Sequence, residues 1–293
     1  MVAAVLFWGT QFPLSQVVMR HIDQYWFGVL RYSIGVSLFI ITLWWREGRG
    51  GFSLEGRGAA VALHGVCGFT GFGLLVFWSL YYTTPAHAAI IMSMQPMLIA
   101  FWLWISRDQR PRPHTLACIA AAFAGLALII TRGDLSHALG GGSLIGDAMV
   151  FAGAIGWIVY TLGAARFPRW SPLRYTTLTC VAGTAGVFAI AAFLTPLGLA
   201  RLPTPAVVLD QLPAITYIAV FPFYIAIFLF GIAVARLGAV NTLLIGNGVP
   251  MVVFVIDALR GQMPRPAEWA GAILVIGALV ASNLLDRRYP SRA

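Results

Sequence analysis

Tyr82-Thr83-Thr84-Pro85-Ala86-His87-Ala88-Ala89-Ile90-Ile91-Met92-Ser93-Met94-Gln95-Pro96-Met97 aligns with Arg236-Leu237-Gly238-Ala239-Val240-Asn241-Thr242-Leu243-Leu244-Ile245-Gly246-Asn247-Gly248-Val249-Pro250-Met251. Each stretch joins two long apolar runs and places a proline, then Met, about halfway along the second run. Each is followed by a proline-bracketed arginine, Pro111-Arg112-Pro113 and Pro264-Arg265-Pro266, and by one more apolar run. Two related halves with helices broken at matching positions are the sequence signature of a secondary transporter.

The composition agrees. The chain is 59% hydrophobic and 10% charged over 293 residues, with a mean hydropathy of +0.83. A water-facing exterior needs far more charge. The net charge of +9 suggests nucleic acid, but the arginines are scattered between apolar runs, so no nucleic-acid partner is expected. Every basic residue outside the histidines is arginine. Cys67, Cys118 and Cys180 fall inside apolar runs without CxxC spacing and read as packing residues. The N-terminus enters an apolar run at once, as a first span and not a signal peptide.

Ten runs are long enough to cross about 30 Å of hydrocarbon as helices: 2–19, 25–45, 58–82, 86–106, 114–131, 144–165, 173–197, 211–235, 238–259 and 267–285. Continuous runs, not alternating ones, argue against a β-barrel. Gly140-Gly141-Gly142-Ser143 divides the chain into repeats 1–139 and 140–293. With a cytoplasmic N-terminus, thirteen arginines fall in the inner loops and tail and five in the outer loops. Both termini are therefore expected in the cytoplasm. Five spans per half is an odd number, so the second half enters upside down. The fold class expected is an all-α integral membrane protein of two inverted five-helix repeats around a central cavity. Leu30-Arg31-Tyr32 and Leu173-Arg174-Tyr175 open the second and seventh spans, and Trp8 corresponds to Trp157.

Trp8-Gly9, the arginine at the start of the second span, the Ala/Gly-rich hairpins at 82–90 and 236–245, and a final span ending in Asn283 and an arginine tail resemble the EamA family of the drug/metabolite transporter superfamily. The resemblance covers the whole chain. The aromatic content is similar to the aromatic amino acid exporter YddG group within it. The resemblance implies a ten-helix basket whose cavity is lined by spans 1, 3, 4, 6, 8 and 9, and an amino acid as substrate.

Several residues are candidates for the cavity. His64, Gly68, Gly71, Leu75, Trp78 and Tyr82 recur at spacings of three or four along span 3. This stripe reads as a cavity wall or as helix packing with Trp78 and Tyr82 in the interfacial aromatic belt. Trp8, Gln11, Phe12 and Pro13 give span 1 a polar patch; Gln11 binds substrate or bonds another helix. Ser93, Gln95 and Pro96, with Asn247, Gly248 and Pro250, mark the two broken helices. Their freed backbone groups line a site, or their prolines (with Pro13) act as hinges. Trp157, Tyr160 and Tyr224 are further aromatic candidates. Arg31 pairs with a substrate carboxylate, or shares a structural role with its mirror Arg174.

No acidic residue lies near the centre of a span; Asp147, Asp210, Asp257 and Glu268 are near ends. Ion-driven exchange usually uses a buried carboxylate, so the expected activity is facilitated export of a neutral or zwitterionic solute. Amino acids with aromatic or other apolar side chains lead, and another metabolite such as a nucleoside is the alternative. Neither a metal-ligand cluster, a P-loop nor a nucleophile–base set appears, so neither a cofactor nor enzymatic activity is expected. Membrane lipids of a bacterial inner membrane are the expected surroundings. Labelling of single cysteines from outside intact cells is expected to spare positions in the 107–112 loop and at residue 293. Modification of the 107–112 loop from outside defeats the inverted arrangement.

Overall fold

The computed structural model describes residues 1–107, 113–131, 143–246, 248–261 and 265–288. Asn247, Arg112, Pro264 and the glycine-rich joint at 140–142 lie outside the described residues. The helices are α1 Val2–Val18, α2 Gln24–Glu47, α3 Gly58–Gly65, α4 Phe72–Ser79, α5 Pro85–Ser93, α6 Gln95–Arg107 and α7 Pro113–Thr131. After the joint come α8 Ser143–Gly163, α9 Pro172–Leu194, α10 Pro205–Ile218, α11 Ala226–Leu237, α12 Ala239–Gly246, α13 Val249–Leu259 and α14 Pro266–Arg288. Among the described residues the regular structure is helical throughout. Among the described residues, five rods are long and apolar enough to cross a membrane: Gln24–Phe52, Gly58–Ser79, Leu144–Arg166, Pro172–Leu194 and Pro205–Leu237.

Local chemistry fixes the helix starts. Asp23 accepts the amide hydrogens of Tyr25 and Trp26, Thr84 that of His87, Ser171 that of Arg174 and Thr204 that of Val207. Such caps satisfy donors that have no partner within a helix. Proline in the first turn of α5, α9 and α10 adds to this, because a missing N–H breaks no bond there. Thr204 and Pro205 start α10 six residues before the expected 211, and the helix runs on through Pro213.

The helix breaks fall where the repeat puts them. α5 ends at Ser93 and α6 begins at Gln95; α12 ends at Gly246 and α13 begins at Val249. Pro96 and Pro250 are each the second residue of the new helix, so they begin a helix and do not bend one. Pro13, by contrast, lies inside an unbroken α1. Two π-helical stretches were not anticipated: Val66–Gly71 joins α3 to α4 and Ala219–Ile225 joins α10 to α11. π-Turns insert about one extra residue per turn and are frequent at functional sites.

Small residues let the rods touch. A Cβ at Gly65 would lie 2.4 Å from the Thr179 carbonyl oxygen and 3.0 Å from the Gly183 amide nitrogen; one at Gly183 would lie 2.6 Å from the Gly65 oxygen. Thr70 donates to the Gly183 carbonyl at 2.8 Å. Lipid tails are as apolar as leucine, so close packing and interhelical hydrogen bonds hold such helices together. Gly65→Ala forces a methyl against backbone that cannot yield, and is expected to destabilise the detergent-solubilised protein by about 1–3 kcal/mol. Gly277→Ala, with nothing within 4 Å of the added carbon, is expected to leave the melting temperature unchanged or slightly raised. Equal melting temperatures for the two variants contradict this packing.

Candidate functional site

A cavity of about 80 Å³ lies at the middle of the bundle. α1 supplies Trp8, Gln11 and Phe12; α2 supplies Arg31 and Tyr32; the first π-turn and α4 supply Phe69 and Phe72. Met92, Ser93 and Gln95 come from the first helix break, Leu243, Gly246 and Val249 from the second. Trp157 from α8 and Phe223 and Ile227 from the α10–α11 rod close it. Trp8 and Trp157 meet edge to face, their ring centroids 6.4 Å apart. The Trp8 indole donates to the Pro222 carbonyl of the second π-turn at 3.0 Å.

Arg31 is the dominant charge at this wall. It is 2% exposed. Its guanidinium lies 3.7 Å from the Phe77 ring centroid and 4.4 Å from that of Tyr32. One nitrogen donates to the Tyr32 hydroxyl at 3.0 Å, and Tyr32 donates to the Phe69 carbonyl at 3.0 Å. Nε has no hydrogen-bond partner. Among the described residues no carboxylate pairs with it. Arginine stays charged in proteins, and an uncompensated buried charge costs several kcal/mol. Cation–π contacts offset part of that. Space for the pair comes from Gly73, where a Cβ would sit 2.2 Å from the Tyr32 oxygen.

Beside this cavity is a second, of about 230 Å³, lined by Tyr160, Phe167, Trp170, Tyr175 and Phe230 among others. Trp157 divides the two, its ring centroid 5.1 Å from Tyr160 and 5.5 Å from Phe230. The end of the bundle nearest that second cavity is tied by charges. Glu55 pairs with Arg174 at 2.7 Å and accepts from the Trp170 indole at 2.9 Å. These donors, Trp170 first, hold the Glu55 carboxyl below the usual carboxylate range. Arg57 donates to the Arg166 carbonyl at 2.6 Å, and Ser171 bonds Glu47.

A model of the EamA-like transporter family matches residues 1–131 and 144–284. The chain belongs to the EamA-like transporter family. It is a membrane transporter of a small molecule and not an enzyme. An uncharacterized transporter, YrdR, of Bacillus subtilis (strain 168) is 30% identical over 97% of this chain and 90% of its own length. An aromatic amino acid exporter, YddG, of Ancylobacter novellus is 25% identical over 97% of this chain and 96% of its own. A protein of known crystal structure, 23% identical, matches with a TM-score of 0.69 over 99% of this chain and 96% of that one, which shows the fold.

Of the residues singled out in the sequence of this EamA-like transporter, Trp8, Gln11, Phe12, Ser93, Gln95 and Trp157 line the central cavity. Tyr160 faces the second cavity, its hydroxyl 3.0 Å from that of Thr176. Trp78 and Tyr82 do not line either. They are 37% and 44% exposed, and Trp78 leans on Tyr25 at 6.2 Å. The cavity face is the neighbouring stripe: Phe69 and Phe72 each follow a residue of the drawn stripe, Gly68 and Gly71, by one position. Phe69 and Phe72 take the places assigned to Trp78 and Tyr82. His64 is buried outside the cavity between Phe167 and Tyr175, at 5.8 and 6.0 Å, over Gly163. Tyr224 turns to the Thr42 hydroxyl at 2.6 Å, while its neighbour Phe223 enters the cavity. Pro13 is buried in α1, and Gly248 and Pro250 sit at the start of α13. Asn247 lies outside the described residues.

The parity drawn between Arg31 and Arg174 does not hold. α2 begins at Gln24 and carries Arg31 two turns inward, whereas α9 begins at Pro172 and leaves Arg174 at the surface network. The acidic residues sit at span ends as expected, yet not all are exposed. Asp147, at a span end by sequence, is 2% exposed, and with Glu268 it brackets His87. Span ends that converge can bury a charge as well as a span centre can. The expectation of uncoupled transport rested on the absence of such a group.

Trp157→Ala removes the ring that meets Trp8, Phe72 and Phe230. It is expected to slow transport of an aromatic substrate about two- to tenfold, at about 0.5–1.5 kcal/mol per ring contact. Trp78→Ala is expected to transport at the parental rate. Equal rates for both variants, at equal expression, count against the central cavity as the site.

Proposed function

We propose that this transporter exports amino acids with aromatic or other apolar side chains by alternating access. The observation that carries the reading is Arg31. A permanent buried cation without a carboxylate partner among the described residues, on a wall made mostly of aromatic and aliphatic groups, is complementary to a carboxylate attached to an apolar body. Gln11, Ser93 and Gln95 supply oxygens for the ammonium group, and Trp8 and Trp157 supply flat faces for the side chain. A nucleoside has no carboxylate for Arg31, which disfavours that alternative. The relative named as an aromatic amino acid exporter supports the same substrate class.

Ten spans in two inverted repeats, with both termini in the cytoplasm of a bacterial inner membrane, complete the proposal. Its supports are the two stretches of family match on either side of the joint, the paired helix breaks at 93–95 and 246–249, and the paired π-turns in α3–α4 and α10–α11. Alternating access is supported by volume. Ligand pockets span about 300–1,000 Å³, and the central cavity is about 80 Å³. That volume is small for a whole amino acid, which supports a cavity that widens when helices part.

The test is counterflow of labelled tryptophan in proteoliposomes, with Arg31→Gln beside the parent. Loss of a charge-assisted pair of about 1.5–3 kcal/mol is expected to weaken tryptophan transport about tenfold or more. Competition by tryptophan amide, poor in the parent, is expected to match that by tryptophan in Arg31→Gln. Parental tryptophan transport in Arg31→Gln, or a parent that moves nucleosides and not amino acids, overturns the reading.

A further inference from the structure

Three helices begin at one place. α5, α8 and α14 bring their N-termini together at the end of the bundle opposite Glu55, and each contributes one titratable group. His87, third residue of α5, is 1% exposed. Its Nδ1 lies 3.4 Å from Asp147 Oδ2 on α8, and its Nε2 lies 3.1 Å from Glu268 Oε1 on α14. The other Asp147 oxygen accepts from the Thr83 hydroxyl at 2.5 Å. The other Glu268 oxygen accepts from the Arg265 amide at 2.6 Å.

Donor and acceptor counting fixes the proton content. A neutral imidazole has one N–H, and ionised carboxylates only accept. Neutral His87 between two carboxylates would therefore leave one of its two contacts as acceptor facing acceptor. Both contacts become hydrogen bonds when the cluster holds one more proton, either as the imidazolium or on a carboxylate. The imidazolium form leaves a net charge of −1, which lies at three helix N-termini, where the peptide dipoles favour negative charge. The other elements packed on α5 do not complete the set. α13 carries Asp257 next to Arg260; α1 and α12 carry no titratable side chain; α6 and α7 carry Arg107 and His114 at the far end. Residues 132–142, with Arg132, Asp134 and His137, lie outside the described residues.

We propose that this cluster is a proton-binding site that couples the transporter to pH: one exchangeable proton, held on His87 between Asp147 and Glu268, locks the end of the bundle where α5, α8 and α14 begin. Opening that end separates the imidazolium from both anions. The two N–H···O contacts break, the proton passes to water, and neutral His87 and two hydrated carboxylates remain. Rebinding of a proton from that side draws the helices back together. The closed form therefore binds the proton more strongly than the open form, and linkage requires that acid favour closure and alkali favour opening, until acid strong enough to protonate the carboxylates removes the lock as well. Under the orientation set by the arginine count this end faces outward, so external protons reset the transporter after release of cargo. The proton leaves to and returns from the same side, so external pH sets how readily that end opens without net movement of a proton across the membrane. The proposal rests on family membership and this geometry, and holds whatever the cargo.

The experiment measures the lock without substrate. Spin labels go on Ile145→Cys in α8 and Ile273→Cys in α14, both exposed, with Cys67, Cys118 and Cys180 replaced by Ala. Distances are read by double electron–electron resonance in lipid nanodiscs from about pH 6 to about pH 9. In the otherwise unaltered background the population at longer distance is expected to rise about threefold or more with pH. His87→Gln and Asp147→Asn are each expected to abolish that dependence. A distance distribution that does not change with pH in the unaltered background overturns the proposal, as does a pH response that persists in Asp147→Asn. Should His87→Gln not yield folded protein, the unaltered background and Asp147→Asn decide it. Because no solute is present, failure here leaves the amino acid reading untouched, and failure of tryptophan counterflow leaves this one untouched.

Discussion

The Arg31 guanidinium is the constraint around which the middle of this protein is arranged. It is permanently charged, almost fully buried and not matched by a described carboxylate. In hydrocarbon such a charge persists only if the surroundings supply compensation. Phe77 and Tyr32 give it aromatic faces, and Tyr32 passes its own hydrogen bond to the Phe69 carbonyl. Gly73 leaves the room that this pair needs. Among the described residues none supplies it with an anion. The substrate carboxylate proposed above would supply one there.

The helix irregularities serve the same centre. The breaks at Met94 and around Gly248 and the two π-turns all lie where the cavity is. They aim Phe69, Phe223, Ser93 and Gln95 at it, and they release carbonyls such as that of Pro222 to side chains from other helices. Irregular backbone inside a membrane is tolerated where protein or a cavity covers it. Away from the centre, the rods are regular and held by glycine contacts such as Gly65 on α9 and Gly183 on the π-turn.

The two ends are closed by different chemistry. Glu55, Arg174, Trp170 and Arg57 form a network at a surface, where water and salt screen the charges and the contacts exchange at little cost. Asp147, His87 and Glu268 form a buried one, where every donor must meet an acceptor. The first releases readily; the second releases only with a change in proton content. Between the two ends lies a cavity of about 80 Å³.

The sequence by itself determined the class and the places where helices break. Continuous apolar runs force helices, because nothing else satisfies backbone polar groups in lipid without a closed barrel. Matching prolines located both helix breaks, and the edges of the apolar runs located most helix starts. Trp8 and Trp157 were visible as a pair because the repeat aligned them, and Arg31 because a lone cation in an apolar run stands out. Only the tertiary structure decided which aromatic rings face the cavity. Helical spacing extrapolates a face only while the helix stays regular, and the π-turn at Val66–Gly71 breaks the count. Phe69 and Phe72, one position on from Gly68 and Gly71, reach the site and Trp78 does not, with no mark in the apolar sequence to say so. Only the tertiary structure, too, joined His87, Asp147 and Glu268. They are separated by 60 and 181 positions along the chain, each at the start of a different helix, and burial of a group at a helix end depends on which other ends meet it.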